Sequence, residues 1–396
     1  MKHVNREEMK LITGIIIVSL LCQVNTMLSP ALSAFQQSFP DAADTMIQAL
    51  ITIPSLTSIP FFLIGGARSR LVTTKRMLLV GVALVSVGGL LPVFLDNIFW
   101  ILVCRMVMGA GLGFVSPFSQ SLISDNFEGE EITVMFGIQA AAISAGNMIG
   151  CYVSGYLATI SYHASFLCYL LAPIAFITTV ILVPSISKHP AERGKSALKD
   201  YLEVPLNLWL RYIFMFGFSI VYFTYFNNTS LLMSARGIGD TAAAGMTTAF
   251  SCIIGIIAGL MMPKLHSWLK GMMIPAMTLC MALGMMAELK AESLVLINLS
   301  SFLIGFAFSV VMPFMVADIT RSEPDMNHTV TSSLFVTANA IGASVSAVLL
   351  EWVSNLLGME GPVGQVSIGV ALGFVLTGGA LAAELVSRRN KSRKEE

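Results

Sequence analysis

Long apolar runs and short polar breaks alternate along the whole chain. Twelve runs come close to or exceed the about 20 residues needed to cross a roughly 30 Å hydrocarbon core. They cover residues 11–35, 45–66, 77–95, 98–122, 132–160 and 165–183 in the first half. In the second half they cover 207–228, 241–263, 272–288, 293–317, 329–356 and 365–386. Gly and Pro recur inside them, which membrane helices tolerate because neighbouring groups satisfy the freed backbone. The pattern predicts an all-α integral membrane protein with twelve transmembrane helices. One long polar stretch, KHPAERGKSALKDYLEVPL at 188–206, divides it. The expected organisation is a six-helix bundle at 1–187, a linker at 188–206, and a second six-helix bundle at 207–396 that ends in a basic tail.

Composition sharpens this picture. Hydrophobic residues make up 55% of the 396 and charged residues only 12%, with net charge zero and mean hydropathy +0.78. Such a balance excludes a soluble globular domain, a disordered tail and a basic nucleic-acid binder. The six cysteines, Cys22, Cys104, Cys151, Cys168, Cys252 and Cys280, all fall inside apolar runs without close pairing, so free thiols are expected. The first run is too long for a signal-peptide core and has no A-x-A site, so it reads as the first transmembrane helix. An even number of spans puts both termini on one side. Nineteen of the 23 Lys and Arg fall in segments on that side, from Lys2, Arg6 and Lys10 to the run from Arg388 to Lys394. Only Arg236 and Lys290 fall opposite, and Arg105 and Arg211 lie within spans. By the positive-inside rule both termini are cytoplasmic.

The halves echo one another. A shift of 196 residues superposes Gly109 on Gly305, Val115 on Val311, Pro117 on Pro313, Phe118 on Phe314 and Gly146 on Gly342. A six-plus-six duplication is the trace of transporters built from two pseudo-symmetric bundles. In span 4, Arg105 is followed by Gly109, Gly111 and Gly113, an intramembrane charge next to residues that let a neighbouring helix approach closely. A charge at that depth costs at least about 2.5–3.5 kcal/mol, so it should face the bundle interior or a wet cavity. Structural and transport roles for Arg105 both stay open on this reading.

Arg105, Gly109 and Gly111 resemble the span 4 motif of the major facilitator superfamily of secondary transporters, and the resemblance covers essentially the entire chain. In span 5, Gly137, Gly146, Gly150, Ser154 and Gly155 are similar to that family's antiporter motif. Cys151 stands where the motif has Pro, and Ser154 where it has Gly. Gly146, Gly150 and Ser154 share one helical face, a close-packing stripe. The loop after span 2 resembles the family's Gly-x-x-x-Asp-Arg-x-Gly-Arg-Arg signature through Gly66, Lys75 and Arg76, with Arg70 where the family has aspartate. The resemblance implies that Gly66, Arg70, Gly109, Gly146 and Gly150 serve conformational change.

The intramembrane polar residues that could bind cargo are Gln23 and Asn25 in span 1, Arg105 in span 4, Asn147 in span 5, Tyr222, Tyr225 and Asn228 in span 7, and Asn339 in span 11. At about 1.5 Å of rise per residue, Asn25 and Arg105 reach a shared layer roughly 20 Å from the inner face. Gln23 or Asn25 is therefore the expected hydrogen-bond partner of Arg105. Glu288, Asp318, Glu351 and Glu384 all fall near helix ends by the same arithmetic. No central proton carrier is visible, and Glu351 is the carboxylate singled out for proton coupling. Neither a metal site nor a cofactor is expected, nor are a catalytic constellation, a nucleic-acid partner or an oligomer. The expectation is a monomeric transporter in the cell membrane that moves a small organic, amphipathic molecule by alternating access. The antiporter-like span 5 favours efflux. Uptake or exchange of an organic anion, with Arg105 as counter-charge, is the alternative.

Overall fold

A computed structural model describes residues 6–68, 73–124, 126–127, 130–183, 204–322, 328–359 and 361–395. Among these, eleven helices are long and apolar enough to cross a membrane, and a bent pair at the N-terminus makes a twelfth span. Span 1 runs from Arg6–Ser19 through the 3-10 segment Val24–Ala31 to Leu32–Ser38. Spans 2 to 5 are Asp44–Arg68, Thr74–Leu90 with a 3-10 end at Leu91–Phe94, Ile98–Ser124 and Glu130–Ala158. Span 6 joins Tyr162–Ser165, Phe166–Leu170 and Leu171–Leu182. Spans 7 to 12 are Leu206–Ala235, Thr241–Leu269, Met273–Leu289, Leu294–Ser322, His328–Leu356 and Gly361–Glu395. Helices are the form such apolar stretches must take, because in lipid every backbone N–H and C=O needs a partner within its own segment. Arg70 and linker residues 188–203 lie outside the described residues, and Gly66 falls in the last turns of span 2.

Spans 1 to 6 enclose one apolar core, built on residues such as Ile15, Phe35, Val85, Met108 and Phe166. Spans 7 to 12 enclose another, around Met215, Phe226, Met281, Ile304 and Phe335. The bundles meet along spans 5 and 8 and along spans 2 and 11. Large apolar side chains such as Ile181, Phe94, Val295 and Trp352 stand exposed on the outer wall, the surface that lipid covers. The side carrying both chain ends is called the terminal face below, and the opposite side the distal face.

The repeat seen in the sequence has a geometric counterpart. Gly109 of span 4 lies against Pro54 and Thr57 of span 2, so closely that a Cβ would strike the Pro54 carbonyl oxygen. Its counterpart Gly305 of span 10 lies equally close to the Ser251 carbonyl of span 8. Gly146 of span 5 abuts the backbone of Leu20 in span 1, and Gly342 of span 11 abuts the Phe216 carbonyl of span 7. Each contact in the first bundle thus recurs in the second between the spans that come six later in order, as a duplicated bundle requires.

Candidate functional site

Two polar regions stand between the bundles: a cavity near the middle of the molecule, reaching toward the terminal face, and a hydrogen-bonded closure on the distal side. The cavity holds about 790 Å³ of empty space, its mouth included. Span 5 contributes Gly137, Ala140, Ala141, Ser144 and Asn147, span 8 contributes Ser251, Cys252, Gly255 and Gly259, and span 10 contributes Gly305, Phe308, Ser309 and Met312. Gln23 of span 1 and Tyr222 of span 7 complete the wall. Small residues on spans 5, 8 and 10 leave the space open, and the two rings give it a flat apolar surface. Tyr222 and Phe308 stack with centroids 3.5 Å apart and planes at 8°. Among the described lining residues there is no Asp, Glu, Lys, Arg or His. Its hydrogen-bonding groups include the Gln23 amide, the Tyr222 hydroxyl and the Ser144, Ser251 and Ser309 hydroxyls. Asn147 accepts from Thr26 Oγ1 at 3.0 Å and lies beside Cys252.

The closure is built from spans 1 and 2 on one side and spans 7 and 12 on the other. Ser29 Oγ donates to the Phe226 carbonyl. Ser230 Oγ donates to the Pro30 carbonyl at 2.8 Å and lies 3.0 Å from Ser33 Oγ. Gln48 Nε2 donates to Asn228 Oδ1 and to Gln365 Oε1, each at 3.1 Å. These five contacts between bundles all lie in the distal half. The conformation is therefore closed on the distal side, with its cavity on the terminal side.

Arg105 belongs to neither region. It has no solvent exposure, and four of its five N–H groups are occupied. Nε donates to the Leu50 carbonyl at 2.7 Å, Nη1 to Tyr169 Oη at 2.7 Å and to Met108 Sδ at 3.2 Å, and Nη2 to the Asn25 carbonyl at 3.2 Å. The expected partner in span 1 is thus the right residue but the wrong atom, since the Asn25 side chain turns away to Ser55 Oγ at 3.1 Å. The 3-10 stretch explains the exchange. Both carbonyls lie in the 3-10 stretch Val24–Ala31, where backbone bonds run i to i−3 with poorer geometry and a carbonyl's second lone pair can take a side-chain donor: Arg105 serves Asn25, and Tyr169 Oη serves Val24 at 3.1 Å.

Of the eight candidate cargo residues, the cavity brings together Gln23, Asn147 and Tyr222. Asn25 and Arg105 form the buried brace, and Asn228 belongs to the closure. Tyr225 pairs with Ser301 Oγ at 2.8 Å inside the second bundle, and Asn339 accepts from Ser219 Oγ at 2.7 Å between spans 11 and 7. Gly146 and Gly150 seat the kinked part of span 1, at Leu20 and Met27. Glu351 is half-buried at the distal end of span 11, with Asp44 as a nearby like charge. Glu288 lies at the distal end of span 9, as helix arithmetic expects, yet it has no solvent exposure and contacts Thr229 of span 7. Residue-by-residue reading also missed Phe308, Ser251 and Ser309. Their signal was small-residue and aromatic richness at positions that ordinary helix packing would fill equally well.

Two pseudo-symmetric six-helix bundles with a cavity between them form an architecture in which secondary transporters are built. The chain belongs to the Major Facilitator Superfamily, whose model matches residues 14–347. The Major facilitator superfamily multidrug transporter mfsC of Aspergillus fumigatus is 23% identical over 243 residues, 61% of this chain and 42% of that protein. The Quinolone resistance protein NorA of Staphylococcus aureus is 24% identical over 163 residues, 41% of each chain. The matches thus span about two fifths of these relatives' length. Among solved structures, nucleoside transporter NupG superposes with TM-score 0.73 at 13% identity, covering 94% of this chain and 99% of that one. Peptide transporter POT gives 0.74 at 13%, covering 96% and 94%. Both share the fold.

Proposed function

We propose that the protein exports neutral, ring-bearing amphipathic molecules across the cell membrane by alternating access, as a monomer whose terminal face is cytoplasmic. The observation that carries this reading is the cavity wall, where a stacked Tyr222–Phe308 pair adjoins neutral hydrogen-bonding groups and no charge. Such a wall gains by burying apolar area and by ring stacking, and it offers nothing to offset the desolvation of an ionised cargo. The organic-anion alternative loses its support, because the guanidinium of Arg105 is spent on protein acceptors. Export accords with the printed names of the multidrug and quinolone-resistance relatives. Basic asymmetry supports the orientation. The proton is the coupling ion of this proposal, with Glu351 as the carboxylate that the sequence singles out.

A test pairs an uncharged fluorescent aromatic probe with its carboxylate analogue in binding to the purified protein. The neutral probe is expected to bind, and the anion to bind at least about tenfold more weakly. Tyr222→Ala and Phe308→Ala should each weaken the neutral probe by roughly three- to tenfold, the worth of one aromatic pair. Equal binding of the two probes, or indifference to both substitutions, would remove the cavity from the reading.

A further inference from the structure

Glu288 lies one residue from the distal end of span 9 with no solvent exposure. Its Oε1 is 2.7 Å from Thr229 Oγ1, and its Oε2 is buried with no partner among the described residues. Among the described residues no salt bridge to it is found. Arg236, which acts on it electrostatically, directs its guanidinium to the Leu289 and Ala291 carbonyls at 2.9 and 2.7 Å. An ionised carboxylate so placed would be a buried charge with one hydrogen bond and a bare oxygen, a costly arrangement.

The proton count resolves the problem. Thr229 Oγ1 is also 2.6 Å from the Tyr225 carbonyl, which can only accept. One hydroxyl carries one proton, and the carbonyl takes it. The short contact to Glu288 is then complete if the carboxyl supplies the hydrogen: Glu288 donates to Thr229, and Thr229 donates to Tyr225. A neutral acid completes the chain where an ionised one must compete for a shared proton.

Position gives that proton a consequence. Thr229 sits between closure residues on the same helix, with Asn228 bonded to Gln48 and Ser230 bonded to Pro30 and Ser33. Any movement of the distal end of span 7 that releases spans 1 and 2 also moves Thr229 relative to span 9, and water entering there can solvate a carboxylate. We propose that Glu288 is a proton-binding site tied to the distal closure, neutral while the distal side is closed and ionised when it opens. Span 7 supplies the titratable groups facing it, Arg236 and Tyr225. Spans 10 and 12 carry Asp318, Arg321 and Glu384 toward the terminal face, and in span 8 Lys264 and His266 lie at that same far end.

By linkage, raising pH then favours the open form, and lowering it favours the closed one. The inference rests on the alternating-access part of the proposed function and not on cargo or direction, and its test uses no cargo. Spin labels at the exposed distal positions Asp41 and Asp240, one on each bundle, report opening as a distance in the otherwise intact protein in nanodiscs. Wild type is expected to shift from short to long distances as pH rises, with the closed-to-open ratio falling by up to about tenfold per pH unit across the transition. Glu288→Gln should remain closed and flat with pH. Should that variant not fold, Thr229→Val, which removes the proton acceptor, should move the transition to lower pH. A wild-type distance that ignores pH, a Glu288→Gln response equal to wild type, or an unmoved transition in Thr229→Val would each overturn the proposal. Failure of the probe-binding test would leave this result untouched.

Discussion

Arg105 shows how far a single residue can be read before its surroundings are known. Its cost in lipid marks it as important from the sequence alone, and in the structure its hydrogen bonds go to Leu50, Met108, Tyr169 and Asn25. What the sequence did not show is that two of the partners are main-chain oxygens, Asn25 in the 3-10 stretch of span 1 and Leu50 in span 2, whose helical donor is missing because position i+4 is Pro54. An arginine that braces three spans by a planar fork cannot be replaced by a point charge. Arg105→Lys is therefore expected to lower the stability of the purified protein by about 1.5–3 kcal/mol for each charge-assisted bond it fails to remake. Affinity of the folded fraction for a neutral probe should stay unchanged. Thermal denaturation followed by probe binding checks both, and a stable variant with weakened binding would return Arg105 to the cargo site.

At the scale of the helices, close approach is what the glycines provide. Gly109 and Gly305 occupy matching places in the two bundles, each against a carbonyl of the neighbouring span. A valine at either position must push two helices apart or lose that contact, and backbone in a packed core gives little. Gly109→Val and Gly305→Val should both reduce folded yield sharply in size-exclusion profiles. Gly137→Val, whose Cβ would meet nothing within 4 Å, should leave folding intact. Comparable yields for all three would show that these helix contacts are slack. Span limits were legible because apolar length is set by the bilayer and hardly depends on packing. The break in span 1 was not legible, since an apolar run looks the same whether it is wound as an α-helix or a 3-10 turn. The depth arithmetic still brought Asn25 to the layer of Arg105, but it could not tell the carbonyl from the side chain. Glu288 does lie at a helix end as expected, but its burial was not legible for a related reason: distance along a helix says how deep a residue lies, not whether a neighbour covers it.

For the whole molecule, the duplicated halves and the basic asymmetry were readable as soon as the spans were counted. The contacts between halves were not. Gln48 and Gln365 are 317 residues apart, and nothing in either neighbourhood marks them as partners. On the alternating-access proposal such pairs belong to one conformation of the cycle, so sequence pattern, which reflects the bundles themselves, is a poor guide to them. If the closure is the distal gate of an alternating-access cycle, fixing it shut should stop transport without emptying the cavity. Ser33 and Ser230 offer the handle, because their hydroxyl oxygens are 3.0 Å apart across the two bundles. Cysteines at both positions, with the six native cysteines replaced, are expected to form a disulfide on oxidation. The oxidised protein in proteoliposomes should lose transport, and reduction should restore it. Probe binding should persist in the oxidised form, since the cavity lies on the terminal side of the lock. Each single-cysteine variant should transport under either condition. Undiminished transport by the oxidised, cross-linked protein would mean that the distal contacts do not part during the cycle, and cargo would then have to leave by another route.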